Sequence, residues 1–116
     1  MEEQKHIQKT YKADIYVGLK EGYDGYVADM DDVLAFVKKI CNGFKIGVTL
    51  TTTRFVYVDG DEPGIIVGLI NYPRFPSTPE EIKDKALRIA SVLAEKYKQE
   101  RVSIVCTDET IMLGDK

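Results

Sequence analysis

The side chains able to act covalently on a substrate are few in this sequence, and they lie far apart. The single histidine, His6, falls in a polar N-terminal run, and the two cysteines, Cys41 and Cys106, occupy apolar positions of expected regular elements. A thiol in such a position behaves as a small hydrophobe. A Cys/His zinc site, a Ser-His-Asp triad and a Cys-His pair each need ordered parts that these residues do not supply. The run Asp59-Gly60-Asp61-Glu62-Pro63-Gly64 imitates the start of a calcium loop. Pro63 takes a ligand position, however, and Ile70 stands where the bidentate glutamate is needed. No GxGxxG or GxxxxGK[ST] cradle for phosphate is present. The expected chemistry therefore uses no metal ion and no cofactor.

What remains is a carboxylate beside aromatic rings. Glu62 stands at a hairpin turn, just ahead of a strand that is apolar on both sides, where an ion is partly desolvated and needs a counter-charge. Position alone also fits a plain turn acid in water, which is the reading for its neighbour Asp61. Tyr57 and Tyr72 are expected toward the same end of the hairpin, one on each side, either in a ligand pocket or as core packing. The loop Gly22-Tyr23-Asp24-Gly25-Tyr26 reads as a ligand clasp or as a surface turn.

The elements that must position these groups can be read from periodicity. Residues 1–10 carry no period and form an expected flexible N-terminal arm, and residues 11–116 form a single domain. Ile15, Val17 and Leu19 alternate with Asp14, Tyr16 and Gly18, the pattern of a half-buried strand. Asp29 caps a helix whose apolar positions Met30, Val33, Leu34, Val37, Ile40 and Cys41 recur at three and four, and Asn42-Gly43 is expected to end it. Residues 46–58 form a long strand, and Asp59-Gly60-Asp61 turns it into a second one over residues 62–72. Thr78-Pro79-Glu80-Glu81 then starts a helix with the stripe Ile82, Ala86, Ile89, Ala90, Leu93 and Tyr97. A strand at residues 102–107 follows, and the tail at 110–113 is able to add another. The order β-α-β-β-α-β predicts an α+β, ferredoxin-like domain, with a four-stranded antiparallel sheet and two helices on one face.

With 16 basic and 19 acidic residues the net charge is −3, and 44% of residues are hydrophobic against 30% charged. That balance excludes a disordered chain, and without a Lys/Arg block it argues against nucleic acid as a partner. Cationic or zwitterionic small molecules suit it better. The longest apolar run is too short to span a bilayer and the start carries no secretory pattern, so no membrane partner and a cytoplasmic location are expected. In the third strand Ile65, Ile66, Val67, Leu69 and Ile70 are apolar on both sides. Helices cover only one face of such a sheet, so a second copy of the chain is expected on the other, the alternative being a central strand that its neighbours merely shield.

One longer stretch carries a family likeness. The acidic pair Asp61-Glu62 enters a β-rich strand, and a helix then ends in Ala94-Glu95-Lys96-Tyr97-Lys98-Gln99-Glu100-Arg101, followed by Val102-Ser103-Ile104-Val105. Over residues 45–112 this order resembles the phage S-adenosylmethionine (SAM) lyases, in which an acidic pair precedes a comparable strand, helix and Q-x-x-V-x-x-V-like strand. Pro63 directly after the pair departs from that pattern, and the N-terminal third matches in pattern only. The resemblance implies a homotrimer of ferredoxin-like subunits, distantly like the PII signalling proteins, with ligands in clefts between subunits. It implies a viral enzyme that splits SAM into 5′-methylthioadenosine and homoserine lactone without a cofactor. It implies that Glu62 is the functionally critical, catalytic carboxylate, which would bind the ammonium group or the sulfonium region, while Gln99 marks the likeness and receives no role. Tyr57 and Tyr72 are the expected substrate-binding residues beside Glu62. The alternative is a PII-like trimer that senses or sequesters a nucleotide-like molecule, and a structural oligomer without a ligand is a third reading.

Overall fold

A computed structural model describes residues 3–22 and 25–114. Its centre is β1 (Lys12–Gly18), which pairs antiparallel with β3 (Gly60–Ile70) on one side and β4 (Arg101–Cys106) on the other. The pleat sends alternate residues to opposite faces. Ala13, Ile15 and Val17 are wholly buried, level with Leu69, Val67 and Ile65 of β3, and Ile15 also stands beside Ile104 of β4. This face is roofed by α1 (Met30–Phe44) and α2 (Pro79–Lys96), whose buried stripes join the same core. The Phe36 ring of α1 meets Tyr97, just past α2, edge to face at 6.1 Å between centroids.

The strand order is β2-β3-β1-β4-β5, with β2 at Thr49–Tyr57 and β5 at Thr110–Gly114. The expected α+β arrangement with two helices is present, but the sheet has five strands, not four. Residues 110–114 pair with β4 from Val105↔Thr110 to Arg101↔Gly114, which satisfies an edge that β4 would otherwise leave open. Ile111 and Leu113 then pack against the core. Helix α1 also runs past Asn42-Gly43 to Phe44, and the left-handed residue is Lys45, with φ 56°. Phe44 packs against the core, and that contact holds the last turn in helical form.

Both helix starts follow local chemistry. The Asp29 side chain accepts a hydrogen bond from the Asp31 N–H at 2.8 Å. At Thr78 a full capping box forms: its hydroxyl accepts from the Glu81 N–H at 3.1 Å, and Glu81 Oε1 accepts from the Thr78 N–H at 3.0 Å. Those bonds hold the Glu81 carboxyl below the usual carboxylate range. Thr78→Ala removes half of the box and is expected to destabilise the fold by about 1 kcal/mol, read as a lower midpoint in a urea melt.

The third strand is less exceptional than its composition suggests. Ile65, Val67 and Leu69 lie under the helices, whereas Ile66 and Ile70 are half-buried on the helix-free face. Ile66 is flanked there by Tyr16 of β1 and Thr51 of β2, so neighbouring strands shield it within one chain. Residues 3–10 belong to no helix or strand and are exposed. Among the described residues no helix is long and apolar enough to cross a membrane.

Candidate active site

The helix-free face ends in a cleft built on the β2–β3 hairpin. A two-residue turn, Val58 and Asp59, joins the strands, with Asp59 in the left-handed region at φ 57°, a conformation that aspartate tolerates better than most residues. The register sets Phe55 opposite Glu62 and Tyr57 opposite Gly60, so the side chains of Phe55, Tyr57 and Glu62 point to the helix-free side. Glycines form the floor. A methyl group at Gly64 would lie 2.1 Å from the Phe55 ring, and one at Gly60 would lie 1.9 Å from the Tyr57 ring. Both rings therefore come close over the β3 backbone, an approach that only glycine permits.

Gly18, at the end of β1 and level with Gly64, does the same for two polar side chains. A Cβ at Gly18 would stand 2.6 Å from Gln99 Oε1 and 3.2 Å from Glu62 Oε1. The other carboxylate oxygen of Glu62, Oε2, accepts from the Tyr57 hydroxyl at 3.4 Å. These groups border a cleft of about 530 Å³ that also holds the bases Lys20, Lys98 and Arg101 and the acid Glu100. Lys98 is within 3.5 Å of Glu21. Such a lining, with both charge signs in reach of solvent, suits a zwitterionic ligand.

The structure separates the expected site residues. Tyr57 and Glu62 are in contact, but Tyr72 is not with them, which corrects the placement of both tyrosines at one hairpin end. Tyr57 adjoins the turn, whereas Tyr72 follows the far end of β3. At about 3.3 Å per strand residue, the ten steps from Glu62 to Tyr72 cover roughly 30 Å. Asp61 points to the opposite face from Glu62 and is held by Arg54, at 3.0 Å from Nε and 2.7 Å from Nη2. That guanidinium keeps the Asp61 carboxyl below the usual range. Of the loop read as a clasp or a turn, Gly22 borders the cleft and Tyr26 is exposed, while Tyr23 and Asp24 lie outside the described residues. Cys106 is buried and Cys41 half-buried, both as free thiols.

No protein-family model and no curated protein matches the sequence. Among solved structures, a phage SAM lyase in complex with S-methyl-5′-thioadenosine superposes with a TM-score of 0.81 at 19% identity, over 97% of this chain and 95% of that one. A phage SAM lyase in the apo state gives 0.77 at 20% identity, over 91% and 90% of the two chains. This chain has the fold of the phage SAM lyases. The likeness read from residues 45–112 thus extends, as fold, over nearly the whole chain, including the N-terminal third.

Within this SAM lyase fold the cleft uses residues that sequence reasoning does not select. Phe55 reads as one more strand residue, and Gln99 appears only as a marker of likeness. Gly18 does leave a signal, because a glycine on the open face of a central strand often marks a close approach. What approaches cannot be read there: Glu62 and Gln99 reach Gly18 from β3 and from the segment before β4, two different neighbours of β1.

Proposed function

We propose that the protein is a cofactor-independent SAM lyase, forming 5′-methylthioadenosine and homoserine lactone. The observation that carries this reading is a half-buried carboxylate, Glu62, set beside Tyr57 in an open cleft on a fold shared with phage SAM lyases. The reaction needs no protein nucleophile. One oxygen of the substrate's own carboxylate attacks the carbon attached to the sulfonium, the carbon–sulfur bond breaks, and its electron pair leaves sulfur as a neutral thioether. A negative and a positive charge vanish together, so a site that removes water from them lowers the barrier. Holding the amino-acid chain folded for attack supplies the rest, an orientational effect worth up to about 7–11 kcal/mol.

In this reading Glu62 binds the cationic part of the substrate and Tyr57 adds a cation–π contact of roughly 0.5–2 kcal/mol. The enzyme is viral, acts in the host cytoplasm, and works as a homotrimer with its clefts at subunit borders. Tyr72, far from Glu62 in its own chain, then serves a cleft only across such a border. Mixing the purified protein with SAM and separating the products by chromatography tests the reading. Methylthioadenosine and homoserine lactone are expected, whereas SAM bound but unchanged favours the sensor.

Two further outcomes are expected. Sedimentation at micromolar concentration should show a trimer, and a monomer alone would remove the intersubunit cleft. Turnover should survive exhaustive chelation, since none of the steps above calls on a metal. Loss with EDTA and recovery with a divalent ion would show that the chemistry is of another kind.

A further inference from the structure

Taking the cleft as a lyase site, we propose that Gln99 Oε1 and Glu62 Oε1 together seat the substrate's α-ammonium group, so that Gln99 determines specificity for the amino-acid end of the ligand. The orientation of the Gln99 amide is forced by its surroundings. Its two N–H donors are spent on backbone carbonyls, those of Lys20 at 2.9 Å and Tyr97 at 3.0 Å. Flipping the amide would set its oxygen against two carbonyl oxygens, so Oε1 must face outward, over Gly18. Glu62 is held more loosely: Oε2 lies 3.4 Å from the Tyr57 hydroxyl, and Oε1 faces the same point above Gly18.

Two acceptor oxygens, one charged and one neutral, thus converge on a single spot, and among the described residues no hydrogen bond donor meets either of them. Both oxygens open into the cleft, so a ligand that excludes solvent from them must bring donors of its own. A sulfonium has no N–H or O–H to offer, whereas a primary ammonium carries three donors and a full positive charge. Of the two cationic groups of SAM, the geometry selects the ammonium. The sulfonium and the attacking carboxylate are then left toward the rest of the cleft, where neither is tied to an acceptor pair.

The test uses SAM and its analogue lacking the α-amino group. That analogue keeps the carboxylate and the sulfonium and remains able to form methylthioadenosine and a lactone. The wild-type protein is expected to prefer SAM roughly 10- to 100-fold in kcat/KM. In Gln99→Leu the preference should shrink about tenfold, mainly by loss of activity on SAM. A merely structural role for Gln99 would lower both substrates equally and leave the ratio unchanged, which overturns the proposal. Should Gln99→Leu fail to fold, Gly18→Ala reports on the same point, because its methyl group displaces the end of the flexible Gln99 side chain. The ratio should again fall. Equal wild-type rates on the two substrates overturn the ammonium seat while leaving the lyase intact, whereas turnover of neither substrate overturns the lyase reading and the seat with it.

Discussion

Glu62→Gln is expected to lower kcat/KM for SAM about 30- to 1000-fold, with folding unchanged. Glutamine keeps the shape and an acceptor for the Tyr57 hydroxyl, which lies 3.4 Å from Glu62 Oε2, but it removes the charge that faces the ligand. A charge-assisted contact to the substrate's cationic end is worth about 2–4 kcal/mol in kcat/KM, which sets that range. Asp61→Asn is the matched control. Its carboxylate points away from the cleft and is engaged by Arg54, an exposed pair whose loss changes little. Steady-state kinetics of the two variants, with circular dichroism to verify folding, decide the matter. Full activity in Glu62→Gln would remove the central residue of the proposed site. If the protein binds SAM without cleaving it and Glu62→Gln weakens that binding, the same cleft belongs to a sensor.

Ile15→Ala should be strongly destabilising, costing about 2–5 kcal/mol. Ile15 is wholly buried at the middle of the central strand, paired with Val67 on one side and Ile104 on the other. A cavity there has rigid walls, because both neighbours are held by strand pairing and the roof by two helices, so little collapse offsets the loss. For a domain of this size the Tm should fall by roughly 10 °C or more. Val56→Ala, at a position 76% exposed on the hairpin, should stay within about 0.5 kcal/mol. Equal melting temperatures for the two variants would mean that the core does not pack as described.

How much of this was legible beforehand depends on the range of the interaction involved. The Thr78 capping box, the Asp29 cap and the α2 stripe from Ile82 to Leu93 are set by residues within a few positions of one another, and all are present where periodicity and cap chemistry put them. The alternation in β1 belongs to the same class, and so does the hairpin turn, although it closes on Val58-Asp59, so that Gly60 and Asp61, read as turn residues, and Glu62 are paired in β3. The tail at residues 110–113 reads only as able to add a strand, because whether it pairs depends on β4 having a free edge, and that follows from the order of the whole sheet.

The sequence by itself determined the order of the first six elements, the buried stripe of α2, the inward face of β1 and the presence of an acid close to a hairpin turn. Each rests on local spacing, since a helix repeats every 3.6 residues and a strand every two. Met30 and Leu34 of the α1 stripe, by contrast, prove exposed, and Glu62 lies inside β3. Only the tertiary structure decided which groups meet. Tyr57 joins Glu62 and Tyr72 does not, because antiparallel register carries the two tyrosines to opposite ends of an eleven-residue strand. Gln99 turns its oxygen toward Glu62 because the carbonyls of Lys20 and Tyr97 take its N–H groups. Gly18 matters because the side chain it lacks leaves room for both of those oxygens. Such a meeting of β1, β3 and the segment before β4 is a property of strand pairing across distant parts of the chain, and no local pattern of residues encodes it.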